Sequence, residues 1–65
     1  MEYWLYYVST TDEQFYLGSF SSVEMCDRLM KFFFPEADYR IYARILGKLI
    51  FVKSSKVDKG GAANE

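Results

Sequence analysis

Residues 40–53, Arg40-Ile-Tyr-Ala-Arg-Ile-Leu-Gly-Lys-Leu-Ile-Phe-Val-Lys53, decide the fold, because two secondary structures fit them. As strands, Ile41, Ala43 and Ile45 alternate with Arg40, Tyr42 and Arg44. Gly47-Lys48 then offers a two-residue hairpin turn with Gly first, as type II′ prefers. As a helix, Ile41, Tyr42, Ile45, Leu46, Leu49 and Ile50 form a stripe at helical spacing, and the order becomes ββα followed by a second helix. That reading leaves Gly47 mid-helix, at a cost of about 1 kcal/mol, and the Ile, Tyr, Phe and Val content favours extended chain. The hairpin is therefore the preferred reading. With its turn at Gly47-Lys48, Ile45 pairs with Ile50 and Ala43 with Val52, making Ile41, Ala43, Ile45, Ile50 and Val52 the core-facing set. The opposite face displays Arg40, Tyr42, Arg44, Leu46, Leu49, Phe51 and Lys53.

Just upstream, residues 22–34 carry the strongest helix signal, ended by Pro35. Ser21 and Glu24 have capping-box spacing, with Phe20 and Met25 at the positions of a hydrophobic staple. Val23, Met25, Cys26, Leu29, Met30, Phe32, Phe33 and Phe34 fill one arc of the wheel, about 200° wide; Glu24, Asp27, Arg28 and Lys31 fill the rest. Glu24 with Arg28 and Asp27 with Lys31 are i,i+4 pairs with the acid first, as on a solvated helix face. The arc is wider than one sheet requires. Cys26, on this arc beside Leu29 and Met30, reads as a buried small hydrophobe rather than a reactive thiol.

Further upstream, residues 3–8 and 14–20 read as strands joined by a polar turn, an antiparallel hairpin. Tyr3, Leu5 and Tyr7 share one face of the first strand, and Trp4, Tyr6 and Val8 the other. Neither face is polar, so the strand is central in a layered fold or covered by another molecule. The expected architecture is α+β: a small antiparallel sheet in ββαββ order with one helix packed on one face. Residues 1–53 form a single domain, and residues 54–65, nearly devoid of apolar side chains and containing Gly60-Gly61, form a flexible tail.

Composition narrows the function. The chain has 65 residues, among them six Tyr, six Phe and one Trp. A chain of this size buries only about 60% of the surface its unfolded form exposes, so the rings cannot all enter one core. One helix covers one side of a four-stranded sheet, which leaves the other side open. Trp4, Tyr6, Tyr16, Tyr42 and Phe51 are the rings hardest to place in the core. With Arg40 and Arg44 they form the expected partner-binding face, rings giving buried area and arginines charged hydrogen bonds. The bland alternative is that arginine and lysine stems merely cover apolar sheet surface.

Histidine is absent and Cys26 is the single cysteine, which removes disulfides, the usual zinc sets and Ser-His or Cys-His nucleophile pairs. No catalytic residues, metal or cofactor are expected, and no small-molecule substrate. The net charge is −1, and residues 1–52 hold five basic and seven acidic side chains, so nucleic acid is disfavoured. A single-stranded nucleic-acid binder, with bases stacked on rings and Arg tracking phosphates, stands as the alternative. Glu2, Asp12, Glu13, Glu36 and Asp38 are scattered over turns and element ends, as solubility alone requires. No apolar run approaches a membrane span and no secretory signal pattern opens the chain, so a cytoplasmic location is expected.

The run from Tyr6 to Cys26 resembles modules in short bacteriophage-encoded proteins: an aromatic strand, a polar turn, a second strand ending Leu17-Gly18-Ser19-Phe20, then Ser21-Ser22 opening a helix that carries Cys26. The likeness covers about the first half and is one of hydrophobic and capping pattern. It implies an accessory factor of the host cytoplasm that binds one host protein, a defence enzyme for example, and inhibits or redirects it by occlusion. A homodimer or a complex with such a host protein follows as the expected assembly.

Overall fold

The computed structural model describes residues 1–55, which fold as β1 (Glu2–Val8), β2 (Gln14–Phe20), α1 (Val23–Phe33), β3 (Asp38–Ile45) and β4 (Lys48–Ser54). This is the ββαββ order, with residues 40–53 as a hairpin rather than a helix. All pairings are antiparallel, and the sheet order is β2-β1-β3-β4. The aromatic strand β1 is therefore central, as its two apolar faces require. β4 runs one residue past the expected domain end at 53, and its Ser54 is buried. Ser55 Oγ accepts the Tyr39 N–H at 2.9 Å. The remainder of the expected 54–65 tail lies outside the described residues.

α1 packs across β1, β2 and β3. Leu5, Cys26, Met30, Tyr39 and Ile41 form the buried cluster, with Tyr3, Phe20, Val23, Leu29 and Ala37 packed against it. Fully burying a side chain such as Leu5, Met30 or Ile41 contributes about 1.5–3 kcal/mol. The thiol of Cys26 is inside the core and free, with its pKa raised first by burial and then by the charge of Asp27. The expected core set is only partly realised. Ile41 and Ala43 are buried, Ile45 is partly so, and Ile50 and Val52 are exposed. A helix about 10 Å wide cannot cover both margins of a sheet whose strands stand about 4.8 Å apart, and here it leaves β4 bare.

The helix start also differs from expectation. Ser22, not Ser21, is the N-cap: its Oγ accepts the Met25 N–H at 3.2 Å, while Ser21 Oγ contacts Met25 Sδ at 3.3 Å. With the cap one residue later, Glu24 no longer occupies the capping-box position, and the Phe20–Met25 staple is out of phase. β2 holds the chain extended through Phe20, so Ser21 is spent on leaving the strand. At the other end the Phe34 N–H bonds to Met30 O at 2.8 Å.

The second hairpin turns at Leu46-Gly47, where φ is 51° and 79°, so both central residues are left-handed, as in a type I′ turn. The expected Gly47-Lys48 turn is thus displaced by one residue and the register by two. Ile45 pairs with Lys48 and Ala43 with Ile50. This register sets Tyr42 opposite Phe51, their ring centroids 5.9 Å apart, a cross-strand contact that the expected pairing of Ala43 with Val52 would forgo.

Candidate functional site

Two β-bulges decide what each sheet face carries. The β1–β2 register shifts between Leu5 and Tyr6, so that Leu5 opposes Gly18 and Tyr6 opposes Tyr16, with Leu17 the extra residue. Counting back by twos from Phe20 would put Tyr16 on the helix side; the bulge resets the alternation and turns it to the open face. Gly18 supplies the backbone freedom, at φ 156°. In β4 the shift lies opposite Ile41/Tyr42, leaving Val52 extra and Lys53 opposite Ile41 on the helix side. Lys53, expected on the open face, instead bonds Asp27 of α1 at 3.1 Å. Leu46, also expected there, projects from the turn, 96% exposed.

On the open face the rings form one connected layer. Trp4 meets Tyr16 at 5.0 Å between centroids, Tyr16 meets Tyr6 at 5.6 Å, Tyr6 meets Tyr42 edge-on at 5.3 Å, and Tyr42 meets Phe51 at 5.9 Å. These are the tilted and edge arrangements that aromatic quadrupoles favour, each contributing about 0.5–1.5 kcal/mol beyond area. Trp4, Tyr6 and Tyr42 are partly buried against their neighbours, while Tyr16 and Phe51 are exposed. The layer holds its own shape, with its two ends most accessible.

The two arginines differ. Arg44 is exposed and its guanidinium lies 5.2 Å from the Trp4 ring centroid, a cation–π contact. Arg40 is held in place: Nη1 donates to Gln14 Oε1 at 2.9 Å and Nη2 to Asp12 Oδ1 at 3.3 Å. Gln14 Oε1 also accepts from the Tyr42 hydroxyl at 2.8 Å, so it ties β2 to β3 across the central strand. Trp4 Nε1 is covered yet bonds to nothing among the described residues. An unmet buried donor costs on the order of 1–3 kcal/mol.

Thus Trp4, Tyr6, Tyr16, Arg40, Tyr42, Arg44 and Phe51 stand together on one sheet face. Sequence reasoning missed Gln14 and Asp12 as part of it. Gln14 and Asp12 lie at the turn end of the first hairpin, and nothing in their local sequence shows that the third strand's Arg40 will sit across β1 from them. Leu49 was placed on the face but not among the binding residues; its pairing with Arg44 puts it at the β4 margin.

The helix side carries a second apolar surface. Phe32, Phe33 and Phe34, members of the over-wide arc, are exposed, Phe32 by 79%. A groove of about 520 Å³ runs between Tyr7, Leu17, Phe34, Pro35, Glu36 and Ala37. Between helix and sheet, Asp27 accepts from the Tyr39 hydroxyl at 2.7 Å and from Lys53. Partial burial pushes its carboxyl up, but those two hydrogen bonds with the charges of Lys53 and Lys31 outweigh it and hold the pKa below the ordinary value. Among the described residues no helix is long and apolar enough to cross a membrane. Compared with protein-family models, curated proteins and solved structures, the chain matches none.

Proposed function

We propose that this chain is a small non-catalytic protein-binding module that docks its open sheet face on a protein partner and acts by occlusion. The observation that carries the reading is the connected layer of Trp4, Tyr16, Tyr6, Tyr42 and Phe51, flanked by Arg44, on a sheet side that no described element covers. Tyr, Trp and Arg are the residues that concentrate binding energy at interfaces, most effectively when preassembled, because little rotamer freedom is then lost. The pattern of residues 6–26 supports a phage-type accessory factor acting on a host protein, a defence factor among the candidates.

A single-stranded nucleic acid asks for flat ring faces open to bases. Arg44 lies over the Trp4 ring, Tyr6 meets Tyr42 edge-on, and Arg40 is engaged by Asp12, which favours a protein partner. Immobilised chain incubated with host lysate, followed by mass spectrometry, should retain one protein stoichiometrically. Trp4→Ala and Tyr42→Ala should each weaken that retention while Lys48→Ala leaves it intact. Retention of single-stranded DNA or RNA that weakens steeply with salt, and of no protein, would overturn the assignment.

A further inference from the structure

β4 ends the sheet, so one edge of its backbone meets no other described strand. Leu49, Ile50, Phe51 and Val52 in succession are 42%, 49%, 50% and 40% exposed, which leaves the strand apolar and bare on both faces. Edge strands that stay single carry inward-pointing charge, an interrupting bulge or a covering element. Here Lys53 is held on Asp27, Lys48 stands at the turn end, and the bulge at Val52 lies past Phe51, so residues 49–51 themselves carry none of these. The other edge strand, β2, is broken mid-strand by the Leu17 bulge, whereas in β4 the register runs without a break from Lys48 to Phe51.

We infer that a second copy of this chain pairs with β4, two β4 strands running antiparallel about a two-fold axis at Ile50 and joining two sheets into one of eight strands. Residues opposite each other in an antiparallel pair share a face, so this axis sets Ile50 against Ile50 of the second copy and Leu49 against Phe51. Lys48 falls opposite Val52, so no lysine meets a lysine. The strand is thus complementary to itself, the condition a two-fold interface imposes. The four apolar side chains expose roughly 350 Å² per copy, at most about 700 Å² for the pair, below the ~1,000 Å² of a stable interface, so the pairing is a weak, concentration-dependent one. Phe51 at the margin of one ring layer would abut Leu49 of the other, making the open faces continuous. This pairing is independent of what the open face binds.

Sedimentation velocity of the full chain from micromolar to millimolar concentration should give a mass rising toward twice the 7.7 kDa of one chain. Ile50→Lys places two like charges across the axis and should weaken association at least about tenfold with the far-ultraviolet circular dichroism unchanged, because Ile50 is exposed. Ile50→Val and Trp4→Ala should remain dimeric. In the wild type, hydrogen exchange should show concentration-dependent protection of the outward-pointing amides of Leu49 and Phe51, a readout that does not depend on any variant folding. A monomer at every concentration, a dimer with unprotected β4 amides, or a dimer lost in Trp4→Ala but not in Ile50→Lys would overturn the pairing.

Discussion

Tyr39→Phe removes one oxygen from the seam between helix and sheet, and its cost follows from the geometry there. Tyr39 is buried, and its hydroxyl donates to Asp27 Oδ1 at 2.7 Å, while Lys53 reaches Oδ2 from a side chain 40% exposed. A hydrogen bond to a charged group contributes about 1.5–3 kcal/mol, whereas a solvent-screened ion pair contributes 1 kcal/mol or less. Tyr39→Phe should therefore cost about 2 kcal/mol at neutral pH and Lys53→Met about 0.5 kcal/mol. For a domain of this size 2 kcal/mol is a drop in Tm of about 8–16 °C. Because Asp27 is held below its ordinary pKa in the folded chain, its contribution is complete above the unfolded carboxylate value and is lost as pH falls through the lower folded value. The gap between wild type and Tyr39→Phe should accordingly narrow as pH drops below about 4. Urea denaturation followed by circular dichroism, at neutral pH and again in acid, measures both effects. A gap independent of pH, or a larger loss from Lys53→Met than from Tyr39→Phe, would refute the network as described.

Three further outcomes follow from particular residues. Ser22→Ala should lose about 1 kcal/mol of stability and Ser21→Ala almost none, since only Ser22 caps the helix; the reverse order in thermal melts would move the cap. Leu46 occupies a left-handed position with its side chain in solvent, so Leu46→Asn, which creates the Asn-Gly pair that type I′ turns prefer, should raise stability by about 0.5–1 kcal/mol. An unchanged or lowered Tm would contradict the turn assignment. Cys26 is sealed in the core with its thiolate disfavoured, so a thiol reagent should label it only at the rate of unfolding; rapid labelling of the native chain would show that α1 is not seated as described.

The helix was legible from its periodicity, and the hairpins from β-branched and aromatic content around turn residues, since periodicity alone fits residues 40–53 as strand or helix. The second hairpin's register was not, for a definite reason. Sliding the pairing by two residues leaves every side chain on the same face, so the hydrophobic pattern of Ile41, Ala43, Ile45 and Ile50 cannot distinguish a turn at 46–47 from one at 47–48. Turn chemistry was the remaining guide, and it misled, since Leu46 accepts a left-handed conformation that its side chain disfavours. The bulges divide similarly. Gly18 inside a strand is a readable sign of one, and that bulge brings Tyr16 into the ring layer; β4 has no glycine to mark the one at Val52 that carries Lys53 to Asp27. Plain alternation along two strands that no bulge interrupts grouped Trp4 with Tyr6, and Arg40 with Tyr42 and Arg44; that the two groups share a face depends on the β1–β3 register, because β1 is apolar on both sides.

The proposal that the ring layer is a docking surface is tested most directly by titrating the protein retained from host lysate against wild type and Tyr42→Ala. Trp4 is the single tryptophan and lies within the layer, so its fluorescence reports binding in both proteins, with circular dichroism checking that the variant is folded. The expected result is a change in Trp4 emission on complex formation and an affinity about 30-fold lower for Tyr42→Ala, equivalent to about 2 kcal/mol. An unchanged affinity with a silent Trp4 would contradict it.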